Sequence, residues 1–135
     1  MYRSQLAFLA HWLQNKHRKP LVIRGARQVG KSILVELFAK AQDRALLNVN
    51  LERYPVLATV FASNDPLQII QQLEALPRMP ALSSADNLLF LDEIQAAPPA
   101  IPALRYFYED MPQLPVLAAG SGLPDRFVTQ IIKGQ

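Results

Sequence analysis

Four short apolar runs, at residues 21–23, 45–51, 88–91 and 115–119, set the strongest limit on how this chain folds. Each is too short for a buried helix, and each ends at a turn residue or a charge. That pattern fits strands buried on both faces. Between them the apolar residues recur at helical spacing. Leu6, Leu9 and Leu13 form one such row, with Phe8 and Trp12 alongside, and Leu34, Val35, Leu37 and Phe38 form another. The spacing predicts helices over 5–16, 31–40, 52–61, 66–76 and 99–110. Ser4 suits the cap of the first, Pro20 stops it, and Asp65-Pro66 is a start signal for the fourth. Continuously apolar strands alternating with helices predict an α/β fold, a parallel sheet covered on both faces.

The eight residues after the first run carry the chemistry. Gly25-Ala26-Arg27-Gln28-Val29-Gly30-Lys31-Ser32 fits G-x-x-x-x-G-K-[ST] between a strand and a helix. The glycines permit backbone conformations and close approach that a β-carbon blocks. Successive N–H groups then converge on phosphate oxygens, and the following helix aims its positive end at the same anion. In this pattern Lys31 reaches the β- and γ-phosphates and the Ser32 hydroxyl ligates Mg²⁺. The expected ligand is ATP with Mg²⁺. Arg27 has three readings: a phosphate contact, a contact to a neighbouring subunit, or plain solvation. No G-x-G-x-x-G occurs, which argues against a dinucleotide fold.

Asp92-Glu93 closes the third apolar run, 61 residues after Lys31. A strand end delivers both carboxylates to the carboxyl edge of the sheet, where open α/β folds bind ligands. The expected division of labour gives Mg²⁺ to Asp92 and the attacking water to Glu93.

Composition narrows the rest. The chain has 135 residues, enough for one domain, and half are apolar. Its net charge of +3 is too small to argue for nucleic acid alone. One basic run, Lys16-His17-Arg18-Lys19, keeps nucleic-acid contact open; the plainer reading is cations at a helix carboxyl end. There is no cysteine, and His11 and His17 are the only histidines, so disulfides and a zinc centre are not expected. No apolar run is long enough to cross a bilayer. The first residues, broken by His11, Gln14 and Asn15, make a poor signal peptide, so a cytoplasmic protein without membrane contact is expected.

The phosphate-loop phrase, Leu-Leu-Phe-Leu-Asp-Glu-Ile-Gln and Leu-Arg-Tyr-Phe-Tyr-Glu-Asp together resemble the AAA+ branch of the P-loop ATPases. They are similar in particular to the N-terminal domain of prokaryotic stand-alone ATP-binding proteins. The resemblance runs from about Tyr2 to Ser121. It implies that Gly25 through Ser32 are the Walker A residues, that Asp92 and Glu93 are Walker B, and that Ser121 senses the γ-phosphate. It also implies a three-layer P-loop NTPase fold with sheet order 5-1-4-3-2. Residues 1–121 would form the ATP-binding core, and 122–135 a tail that departs from the family pattern. The fifth strand and helical lid are expected to be missing, as in a truncated chain, with the segment 127–132 a candidate cover for the edge of the first strand. Two functions follow: an ATP hydrolase, or an ATP-binding module with little hydrolysis acting through protein or nucleic-acid contacts. A GTPase lacks support, since no Asn-Lys-x-Asp lies downstream of the loop, and a small-molecule kinase would usually dispense with a Glu at position 93. The sequence names no client and no oligomeric state.

Overall fold

The computed structural model describes residues 3–24, 28–77 and 87–120, with the backbone alone at 24 and 28–31. Along the chain come α1 (Arg3–Gln14), β1 (Leu21–Arg24), α2 (Gln28–Ala41), β2 (Ala45–Asn50), α3 (Leu57–Phe61), α4 (Pro66–Glu74), β3 (Asn87–Asp92), a 3₁₀ turn (Ile94–Ala96), α5 (Ala100–Asp110) and β4 (Val116–Gly120). The strands form one sheet in the order β1-β4-β3-β2, and every pairing is parallel. Among the described residues this is the expected order, less the fifth strand.

Side-chain alternation divides the sheet into two faces. Val22, Leu47, Val49, Leu89, Leu91, Val116 and Ala118 point to one, where Phe61 of α3, Ile69 and Leu73 of α4, and Leu104 and Phe107 of α5 cover them. Leu21, Leu88, Phe90, Leu117 and Ala119 point to the other, under Leu9, Trp12 and Leu13 of α1 and Leu34, Val35 and Phe38 of α2. The result is three layers around two cores. The inner strands β3 and β4 are buried at every position. That is why their sequences read as unbroken apolar runs. The edge strand β2 is buried only at alternate residues, which is why Asn48 and Asn50 are tolerated there.

Several boundaries differ from expectation: α1 already includes Arg3, so Ser4 lies inside the helix and does not cap it, and two others differ for identifiable reasons. The helix predicted over 52–61 begins only at Leu57. The Asn50 side-chain oxygen accepts from the amides of Glu52 and Arg53 at 2.9 and 3.3 Å and holds a turn there instead. The first helix ends at Gln14, not at 16, because Asn15 Oδ1 accepts from His17 N at 2.9 Å and turns the chain. By contrast the start of α4 follows the rule. Asp65 caps it through Gln68 N, and Pro66 occupies its first turn.

The basic run after α1 is partly structural. The Arg18 guanidinium donates to the carbonyls of Leu13 (2.8 Å) and Gln113 (2.9 Å), and more weakly to that of Pro112 (3.4 Å). It also lies 5.9 Å from the centre of the Trp12 ring. Burial, and then the like charge of Arg44, hold its pKa below the ordinary value. Lys19 sits over Tyr108 of α5 at 5.1 Å. Trp12 Nε1 donates to Lys19 O at 2.7 Å. Two of the four basic side chains therefore tie α1 to the opposite end of the sheet's last crossover.

Candidate functional site

All four strands run the same way, so their carboxyl ends share one edge of the sheet. Arg24, the last residue of β1, pairs with Gly120, the last of β4. Asp92, the last of β3, pairs with Asn50, the last of β2. Neighbouring strands lie roughly 4.8 Å apart, so the ends of β1 and β3, flanking β4, are on the order of 10 Å apart. The chain leaves β1 at this edge and re-enters regular structure at Gln28, the first residue of α2. The first four N–H groups of a helix have no intrahelical partner, and here that end belongs to a helix of 14 residues.

Of the candidate phosphate loop, Gln28, Val29, Gly30 and Lys31 form the first turn of α2, and Ser32 is half-buried within the same helix. Gly25, Ala26 and Arg27 lie outside the described residues, as do Ser121 and the tail 122–135.

The acidic pair is fully described. Asp92 belongs to β3 itself, and Glu93 is the first residue beyond it. Their relative exposures are 7% and 5%, so two neighbouring carboxylates sit almost out of water at this edge. Burial of that kind is costly unless charge or hydrogen bonds compensate. Glu93 has φ 54° and ψ 48°, the left-handed region. Two other described non-glycine residues share it, Asp43 and Asn64, of types that tolerate it well; glutamate does not. The conformation costs about 1–2 kcal/mol. It is held in part by a bond from Glu93 N to Asp92 Oδ1 at 2.9 Å, itself buried.

The 3₁₀ turn that follows supplies a partner the sequence did not suggest. Gln95 Nε2 donates to Glu93 Oε1 at 2.6 Å. Its other end, Oε1, is buried with no hydrogen-bond partner among the described residues, a loss of order 1–3 kcal/mol. That oxygen lies against Gly120, where an added β-carbon would collide with it and would stand 3.2 Å from Ile94 Cγ2. Gly120 is therefore a glycine because the turn packs onto its α-carbon. A strand glycine of that kind marks close approach by another segment, which was the one available sign of this contact. Left-handed backbone at Glu93 and an orphaned amide oxygen at Gln95 gather strain at a single point, as functional sites often do.

Asp92 offers a carboxylate and Ser32 a hydroxyl, both suited to a hard divalent cation. Among the described residues, no three of His, Cys, Asp or Glu cluster as a metal cage. Mg²⁺ fits such a sparse set, because it retains waters and takes few carboxylates when phosphates complete its shell. No helix among the described residues is long and apolar enough to cross a membrane.

No curated protein matches the chain. A family model described as an AAA domain matches residues 17–128, from the turn after α1 to beyond the end of β4. Four parallel strands in the order β1-β4-β3-β2, and a family match over most of the length, give one conclusion: the chain belongs to the AAA domain family, a nucleotide-binding class with a P-loop NTPase-like fold.

Proposed function

We propose that the chain binds ATP with Mg²⁺ at this carboxyl edge and hydrolyses it. The observation that carries the reading is the pair of nearly buried carboxylates, Asp92 and Glu93, at the end of β3, on the edge from which the β1–α2 connection departs. Gly25 through Ser32 supply backbone amides and the positive end of α2 to the phosphates. Lys31 neutralises charge on the β- and γ-phosphates. Ser32 and Asp92 would hold Mg²⁺, which would supply positive charge against the phosphoryl group being transferred. Glu93 orients and deprotonates the attacking water, and Ser121 contacts the γ-phosphate.

The test compares two substitutions in binding and turnover. Lys31→Ala should abolish binding of Mg·ATP. Glu93→Gln should bind as the wild type does and lose about 10²–10⁴-fold in kcat, the usual contribution of a general base. Folded wild-type protein that ignores millimolar Mg·ATP would refute the binding site. Undiminished turnover in Glu93→Gln would remove the assigned base.

A further inference from the structure

We infer that Gln95 is the positioning residue for Glu93 and that Gly120 is the seat on which it rests. The inference builds on the hydrolytic reading above. A glutamate on a left-handed corner has a free side chain of three torsions, yet a base must present one oxygen to water in a fixed direction. Gln95 supplies the restraint. A carboxylate only accepts hydrogen bonds, so the amide nitrogen of Gln95 must face Glu93, and its oxygen must face the other way. The 2.6 Å bond occupies Glu93 Oε1, and no described residue bonds Oε2. One oxygen is tethered and the other is left for the ligand.

The tether is anchored at its far end. Gln95 Oε1 is packed against Gly120 with no donor among the described residues. The amide forgoes a hydrogen bond on that side to keep its nitrogen on Glu93. The side chain thus spans from the end of β3 to the end of β4, next to the residue proposed to contact the γ-phosphate. A substitution at either anchor should misplace the same carboxylate.

Steady-state hydrolysis and ATP affinity of the full chain, with melting curves as a folding control, test this. Gln95→Met keeps length and removes the donor; Gln95→Asn keeps polarity and withdraws the donor by one methylene. Each should lower kcat by about ten- to a hundredfold, with KM and nucleotide affinity within about twofold of wild type. Gly120→Ala, which drives the Gln95 oxygen off its seat, should do the same. The double variant Gln95→Met/Gly120→Ala should lose no more than the worse single, because both act through one contact. Wild-type kcat in both Gln95 variants overturns the inference, as does full additivity in the double. A loss of kcat and affinity together, with a lowered melting point, would show a merely structural residue and overturns it too. Glu93→Gln separates the two ideas: if it turns over like wild type, the hydrolytic reading fails on its own. The contact is then judged by nuclear magnetic resonance of the Gln95 side-chain amide, which should shift in Glu93→Ala; an unmoved signal overturns the tether.

Discussion

At the residue scale, the neighbours Asp92 and Glu93 divide structural from chemical work. Asp92 Oδ1 accepts the buried amide of Glu93, so the carboxylate that is proposed to bind Mg²⁺ also holds the corner on which the proposed base sits. The two duties separate by substitution. Asp92→Asn retains an oxygen in the same place and should keep the corner, while weakening the dependence of nucleotide binding on Mg²⁺. Asp92→Ala strands a buried donor and should cost a further 1–3 kcal/mol or so of stability. Chemical denaturation read beside a Mg²⁺ titration checks both. Equal stability of the two variants would show that the Asp92–Glu93 bond contributes nothing to the corner. The pair was legible in the sequence because an apolar run ended in two acids. Gln95 was not, since nothing in Ile-Gln-Ala says that the amide folds back on Glu93 across a left-handed turn. Only the packing of the turn on Gly120 decides that.

At the element scale, helix ends and their fasteners account for what periodicity could and could not reveal. Strands β3 and β4 were readable because both faces of each are covered, which leaves Leu88 to Leu91 and Val116 to Ala119 apolar without a break. Helix α3 was overextended at its start, where the Asn50 side chain builds a turn and Pro55, which disfavours helix at Tyr54, sits just before the observed first turn. The end of α2 is a Schellman motif: Arg44 N bonds Ala39 O at 2.9 Å, Asp43 N bonds Lys40 O at 3.2 Å, and Asp43 takes φ 55°. A negative side chain at a helix carboxyl end opposes the dipole, and glycine adopts the left-handed conformation freely. Asp43→Gly should therefore stabilise by roughly 0.5–1 kcal/mol in a denaturation midpoint; a destabilised protein would contradict this account of the cap. Arg18 fastens the other side of the fold. Its fork joins the carbonyl of Leu13, five residues before it, to that of Gln113, 95 residues after it. Arg18→Ala should cost about 1.5–3 kcal/mol, and Arg18→Lys should recover little of it, because an ammonium cannot reproduce the fork. If instead the residue served mainly as a nucleic-acid contact, the substitution would leave the melting point unchanged and weaken salt-sensitive binding to single-stranded DNA.

At the scale of the whole molecule, the two cores and the ligand edge are separable sources of stability. Phe90 is fully buried beneath α1 and α2, on the opposite face of its strand from Leu89 and Leu91. Phe90→Ala should lose about 3–5 kcal/mol, the usual cost of an aromatic cavity. That loss originates in a layer that ends before the carboxyl edge, since Asp92 lies two residues further along β3. Nucleotide acts at the edge alone. A ligand that binds only the folded state at a hundred times its Kd adds about 2.7 kcal/mol, or a rise of roughly 10 °C in melting temperature for a domain of this size. The two effects should add, because the sites share no side chain. Wild type and Phe90→Ala should then show the same increment with Mg·ATP, from different baselines. Glu93→Gln should keep the increment and Lys31→Ala should lose it. An increment that shrinks in Phe90→Ala would mean that the core under α2 also sets the geometry of the helix end that receives the phosphates, and the separation argued from the register of β3 would fall.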